Sequence, residues 1–196
     1  MDFLQQVPEK YFDLAVVDPP YGINMGIGAG ETRGKKKKSD LYTPKSWDIE
    51  RPNVDYFNFI QTSAINQIIW GGNYFADLLP ASRCWIYWRK LMGGDYSDGE
   101  LAWTSFDKVL KEYTKRSEQG SSRIHPTQKP VKLYDWIYQN YAKPGQLILD
   151  THLSSGSNRI AAHKNNLEFV GVELDPEYFY ASVKRFEQYT SQLTLF

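Results

Sequence analysis

Four consecutive residues, Asp18-Pro19-Pro20-Tyr21, carry the groups needed to hold a flat amine. They close a run of strand-forming residues at 12–17, FDLAVV, and Gly22 follows them. Asp18 supplies a carboxylate acceptor. Prolines fix φ and cannot donate to a ladder, so the Pro19 carbonyl is available as a second acceptor, with Pro20 stiffening the turn. A planar –NH2 group has two donors that match these two acceptors, and Tyr21 offers a flat face beside them. Together they describe a site for the exocyclic amino group of a nucleobase. The plainer alternative is a rigid turn with a capping Asp.

A second constellation runs from Asp150 to Glu173. A strand ending in an acid, a small-residue loop around Gly156, a helix and a further strand ending in an acid about 20 residues on make the nucleotide-cofactor arrangement. Such a loop lets backbone approach the ligand, and the distal acid accepts hydrogen bonds from ribose hydroxyls. The segment SSGSN does not match the GxGxxG fingerprint, so an ordinary βαβ turn is the alternative.

The bulk properties narrow the classes. The 196 residues suit one domain, 1–196, with a sizeable core. No apolar run has membrane-spanning length and no secretory leader is evident at the N-terminus. The single cysteine, Cys84, excludes an internal disulfide framework and fits the reducing cytoplasm. His125, His152 and His163 have no metal-ligand spacing, so no metal is expected. Net charge is zero, but residues 33–38, RGKKKK, hold five positive charges in six positions. Lys35, Lys36, Lys37 and Lys38, with Lys45 beyond them, read either as a solvated loop or as a patch for phosphates. Aromatic residues make up 15% of the chain, enough for a core and for stacking on bases.

The elements that must position these groups follow from the pattern. Residues 12–17 read as a strand buried on both faces, and 22–54 as a long glycine- and lysine-rich loop. Helical spacing appears over 54–66, then strands at 67–72, 84–88 and 100–106, with a short helix through about Leu79 after the first. The stretch 107–129 is mostly polar, with SEQGSSR as a connector. Pro130 opens a helix that Pro144-Gly145 ends. A strand at 146–150, a helix at 158–166, a strand at 168–173 and a terminal helix complete the chain. Strands alternating with helices predict an α/β fold with a mainly parallel sheet and helices on both faces, and ligands at the carboxyl ends of the strands.

DPPYG, HPTQKP (125–130) and LDTHLSSGSNRIAA (149–162) together resemble the S-adenosylmethionine-dependent DNA amino-methyltransferases of the adenine-N6 type. DPPY precedes the cofactor loop, which is the permuted, beta-type order, and IIWGGNYF, CWIYWRK and ELAWTSF resemble small phage and prophage members. The resemblance implies a Rossmann-like methyltransferase fold in circularly permuted order. It implies transfer of a methyl group to N6 of an adenine rotated out of double-stranded DNA, with Asp18, Pro19, Pro20 and Tyr21 as the catalytic group. The cofactor would lie against Asp150, Thr151, His152, Ser154, Ser155, Gly156 and Ser157. Glu173 and Asp175 would serve its ribose side, and Thr127, Gln128 and Lys129 its carboxylate end. The basic loop would close on DNA phosphates, and residues 107–124 form a short target-recognition segment; either specificity is relaxed, or it comes from the long loop, from a second protomer in a homodimer, or from another protein.

Two departures stand out. Ser154 occupies a position where the family usually has Gly, so a side chain sits where the backbone calls for positive φ. The strand and acid that relatives carry ahead of the segment beginning at Met1 are missing, which predicts a sheet one strand short at the N-terminus. The tail QLTLF resembles the pentapeptide that binds the bacterial sliding clamp, with Gln192, Leu193, Leu195 and Phe196 as contacts; packing on its own domain is the alternative. Competing functions are methylation of cytosine N4, methylation of RNA, and a catalytically silent, clamp-tethered DNA-binding homologue.

Overall fold

The computed structural model describes residues 6–23, 48–92, 97–117 and 123–193. Lys35, Lys36, Lys37, Lys38, Lys45, Leu195 and Phe196, and the side chain of Leu193, lie outside them.

Seven strands form one sheet: β1 (Phe12–Val17), β2 (Ala64–Trp70), β3 (Trp85–Arg89), β4 (Gly99–Thr104), β5 (Lys111–Thr114), β6 (Leu147–Asp150) and β7 (Glu168–Gly171). Their order across the sheet is β5-β3-β4-β2-β1-β6-β7. β1 lies parallel between β2 and β6, β7 parallel to β6, and β5 parallel to β3. β4 alone runs against its neighbours β2 and β3. The mainly parallel sheet predicted from strand–helix alternation is therefore present, and β7 stands at an edge among the described residues.

Successive side chains on a strand point to opposite faces, so the central strands feed two cores. Leu14 and Val16 of β1, with Ile68 and Trp70 of β2 and Ile148 of β6, pack beneath α2 (Val131–Tyr141) and α3 (Ser157–Lys164). Ala15, Val17, Ile69 and Leu149 face the other way, onto Phe57 and Ile60 of α1 (Val54–Ser63). A last helix, α4 (Pro176–Leu193), returns along α3. The side chain of Asn53 accepts from the Tyr56 N–H and caps α1, whose last residue leads directly into β2.

Several elements differ from the sequence reading. The helix read over 54–66 gives way to β2 at Ala64, the strand read at 67–72 ends at Trp70, and the helix read through Leu79 is a 3₁₀ turn at Gly72–Tyr74. Pro130 stands at the N-cap of α2, one position ahead of its first turn. β5 falls inside the stretch read as a polar connector. It is an exposed edge strand in which only Tyr113 is half-buried, so no alternating apolar pattern announces it. Its place is fixed by the ladder to β3, by the Trp88 indole N–H donating to the Lys115 carbonyl at 2.7 Å, and by Tyr113 against Trp136. β7 stops at Gly171 rather than at Glu173, because the Val172 N–H turns to the Asp150 carbonyl and Leu153 bonds back to Val172.

Candidate active site

The ends of β1, β2 and β6 open at one edge of the sheet, and the antiparallel β4 brings its first residues to the same edge. The ladder sets Glu100 of β4 opposite Trp88, close to the end of β3.

Asp18 directly follows β1. One carboxylate oxygen accepts from the Tyr21 hydroxyl at 2.7 Å, the other from the Lys129 ammonium at 2.5 Å. Lys129 also lies 3.1 Å from Glu100, which is ion-paired in turn with Lys90. Burial alone would push the Glu100 carboxyl up, yet Lys129 and Lys90 outweigh it and hold the group below the ordinary carboxylate range. The same balance runs in reverse at Lys129. Desolvation disfavours its charge, but Asp18 and Glu100 prevail and its pKa is raised. Burial, and next the Asp18 charge, raise the Tyr21 phenol well above its usual value, so it remains a donor.

The loop carrying Tyr21 is fastened by Asp48, a buried acid that accepts the Tyr21 and Gly22 N–H groups at 2.7 and 2.9 Å. The Tyr21 ring stacks on Tyr74, centroids 4.8 Å apart and planes 15° apart. Gly71, with φ of +69°, backs onto the same ring, and a Cβ there would lie 2.2 Å from it. A glycine at the end of β2 is thus required twice, by conformation and by close approach.

Asp150 ends β6 and is buried. Asn158, from α3, donates to it at 2.9 Å and to the Val16 carbonyl at 3.0 Å, tying β6 to β1. The Tyr138 hydroxyl donates to the Asn158 carbonyl oxygen, and the His152 N–H donates to Asp150 at 3.0 Å. The Asp150 carboxyl is raised to about 7, by burial first and by the charges of Asp18 and Glu173, against the pull of its two donors. His152 is driven down to about 4 by burial and is neutral. Thr151 meets the Tyr56 hydroxyl at 2.8 Å.

Ser154 has φ of +49°, so a side chain does occupy a left-handed position here. Its N–H donates to Glu173 at 2.8 Å, and the other Glu173 oxygen accepts from the Asp175 N–H at 3.0 Å. Gly156 is left-handed at the N-cap of α3, and Arg185 of α4 secures the loop through the Ser155 carbonyl and the Ser157 hydroxyl, both at 2.8 Å.

One narrow cleft gathers much of this. Asp18, Thr127, Gln128 and Lys129 line it together with His152, Ser154, Ser155, Ser157 and Asn158. Of the residues singled out from sequence, Tyr21, Thr151, Gly156, Glu173 and Asp175 stand around this cleft rather than on its wall. Lys129, expected at a cofactor's carboxylate end, directs its ammonium to Asp18 and Glu100. Sequence reasoning missed Glu100, Asp48 and Tyr74. Only Glu100 left a trace, as the one acid in the apolar run ELAWTSF. The cleft therefore offers one carboxylate, Asp18, beside the hydroxyls of Thr127, Ser154, Ser155 and Ser157, while Pro19, Pro20 and the buried Asp150 lie off its wall, a setting for a polar, hydrogen-bonding ligand.

Residues 69–184 match the family model described as N6/N4 DNA methylase. YubD of Escherichia coli strain K12, named as a methylase, is 33% identical over 192 residues, spanning 91% of this chain and 83% of that protein. The type II methyltransferase M2.DpnII of Streptococcus pneumoniae is 35% identical over 74 residues, 38% of this chain. Only 27% of that enzyme's length is spanned. Among solved structures, the cytosine-N4-specific PvuII DNA methyltransferase superposes with a TM-score of 0.64 at 16% identity, over 96% of this chain and 86% of its own. The M1.HpyAVI–SAM complex gives 0.59 at 20% identity, over 94% and 92%.

Proposed function

The chain belongs to the N6/N4 DNA methylase family, and from that premise we propose that it transfers a methyl group from S-adenosylmethionine to the N6 amino group of adenine in DNA. The observation that carries the reading is Asp18. Its carboxylate stands at the end of β1 in the same cleft as residues 152–158, held by one donor on each oxygen. Each carboxylate oxygen has two acceptor directions, so capacity for an N6–H remains.

The donor set fits the cofactor. Asp150 is a buried acid with no cation beside it among the described residues and a carboxyl raised to about 7, a partner for the cofactor's ammonium. Glu173 suits ribose hydroxyls, and Thr127 and Gln128 suit the carboxylate end. A bound S-adenosylmethionine supplies an electrophilic methyl group on a sulfonium. The chain's own residues hold the acceptor. A base rotated out of the duplex presents its amine to Asp18 and the Pro19 carbonyl, whose hydrogen bonds draw the nitrogen lone pair out of ring conjugation. With that cofactor held, the lone pair would take its methyl group as the bonding pair remains on sulfur in a neutral thioether, and the N6 proton then released would pass to water. Orientation and a fixed charge carry the catalysis, and no protein nucleophile is required.

The family description takes in N4 acceptors, and the PvuII neighbour is cytosine-specific, so cytosine N4 is the second reading. The same two acceptors would serve it. Asp18 favours adenine, since cytosine enzymes of the resembling group more often carry Ser there. Finer parts of the proposal are phosphate contacts from Lys35, Lys36, Lys37, Lys38 and Lys45, a sliding-clamp contact through residues 192–196, and a homodimer that completes target recognition. Sequencing modified bases after expression in a methylation-free host tests the central claim. N6-methyladenine at a defined sequence is expected, and N4-methylcytosine in its place would transfer the proposal to the second reading.

A further inference from the structure

Lys129 precedes α2, and its neighbours in sequence point it toward the cofactor loop. Its ammonium lies elsewhere, 2.5 Å from Asp18 and 3.1 Å from Glu100, with only 3% of the side chain exposed. Trp70 lies beneath it at 5.2 Å from the ring centroid. Glu100 reaches Lys90 on its far side, and Lys90 lies over Trp88 at the same distance. Asp18, Lys129, Glu100 and Lys90 thus form a row of alternating charge, balanced within itself. A buried ammonium taken from this row would leave Asp18 with the Tyr21 hydroxyl alone and Glu100 with Lys90 alone, two acids without the cation between them.

We infer that Lys129, anchored by Glu100, is the positioning residue for Asp18; the inference rests on the methyl-transfer reading above. Lys129 on one oxygen and the Tyr21 hydroxyl on the other fix the plane of the carboxylate and leave its remaining lone pairs in set directions. Both groups donate, so the carboxylate meets an incoming amine as an acceptor. Glu100 draws the ammonium back, so that Lys129 is shared and does not occupy Asp18 entirely. β4 matters to the reaction for this reason: running antiparallel, it delivers an acid to the catalytic edge from its first residues. Neither Glu100 nor Lys129 touches the reacting atoms in this scheme.

Single-turnover methyl transfer to DNA, measured beside calorimetric binding of S-adenosylmethionine, tests it. Lys129→Met should lower the rate at saturating cofactor at least a hundredfold while its cofactor Kd stays within threefold. Lys129→Arg should recover at least tenfold of that loss, and Glu100→Gln should cost about tenfold in rate with unchanged Kd. If Lys129→Met does not fold by circular dichroism, the Arg and Gln variants carry the test. A tenfold weaker cofactor Kd with a rate within threefold would make Lys129 a cofactor ligand and overturn the inference. A full rate in Glu100→Gln would overturn the part given to Glu100. Wild-type protein that methylates no DNA would instead sink the reading beneath it, a result separate from any variant.

Discussion

Tyr21 lies flat against Tyr74, ring centroids 4.8 Å apart, so the surface that would receive a base is already stacked. Tyr74 follows β2 in a 3₁₀ turn at Gly72–Tyr74 and is 40% exposed, and Arg51 donates to its carbonyl at 3.0 Å. An incoming base must replace this ring. A stacked aromatic pair is worth about 0.5–1.5 kcal/mol beyond burial. Tyr74→Ala should therefore raise the extrahelical fraction of a 2-aminopurine target by about threefold to tenfold, read as fluorescence. A lower signal with a raised KM for DNA would mean that Tyr74 stacks on the base instead of making way for it.

Asp18→Ala removes the acceptor and leaves Lys129 to Glu100 alone. Methyl transfer should fall at least a thousandfold, with cofactor Kd within about threefold by calorimetry, since Asp18 is assigned to the amine and not to the cofactor. Transfer at the wild-type rate would end the proposed mechanism.

The strands most legible in the sequence are the central ones buried on both faces, although the more exposed β3, β4 and β7 could be read as well. β1 and β6 are almost wholly apolar, Asp13 being the exception in β1, and lead to the acids Asp18 and Asp150, so both their existence and their functional ends could be read. β5 left no such mark because KEYT lies on an exposed edge, held by backbone bonds and one Trp N–H that composition does not encode. The positive φ at Ser154 was foreseeable from a glycine expected at that position. The Asp18–Lys129–Glu100 row was not. It joins residues 111 positions apart in sequence on one side, and on the other depends on β4 running antiparallel. Local pattern locates acids at strand ends, but which cation meets them is decided by strand order.

The Asp150 carboxyl stands at about 7 in the fold against 3.8 in a free chain. Between those values the folded state holds a proton that the unfolded chain has lost. That stabilisation is complete below about pH 4 and disappears as pH rises through about 7, a loss of the order of a few kcal/mol. Cofactor-free protein should melt lower at pH 8 than at pH 5.5. Asp150→Asn keeps only one of the two bonds, from Asn158 or from the His152 N–H, but has no charge to bury, so it should flatten this dependence and raise the melting temperature at pH 8. Cofactor affinity should show the opposite slope, rising with pH through about 7 in wild type as the carboxylate forms, and should lose that rise in the variant.

Residues 192–196 carry the proposed clamp contact, and Gln192 lies exposed in the last turn of α4. Docking in extended form requires only that turn to open, and carbonyls at a helix end have no intrahelical partner to lose. Deleting 192–196 should abolish binding to a bacterial sliding clamp in surface plasmon resonance, with the melting temperature changed by less than about 2 °C. Equal clamp binding after deletion would refute the contact.

Ser154 holds a left-handed backbone at the turn that presents its N–H to Glu173. For an L-residue that conformation costs roughly 1–2 kcal/mol, part of which glycine returns through the larger entropy of its unfolded chain. Ser154→Gly should therefore leave the fold unchanged or up to about 1 kcal/mol more stable, and with the Glu173 bond retained it should not weaken cofactor binding. Ser154→Val should do the reverse, because a β-branched residue is excluded from this region. The Ser154 N–H then loses its aim at Glu173, and cofactor Kd should rise at least tenfold by calorimetry. If Val is tolerated with unchanged Kd, the turn at 154 does not shape the cofactor side of the cleft, and Glu173 reaches its ligand without help from this bond.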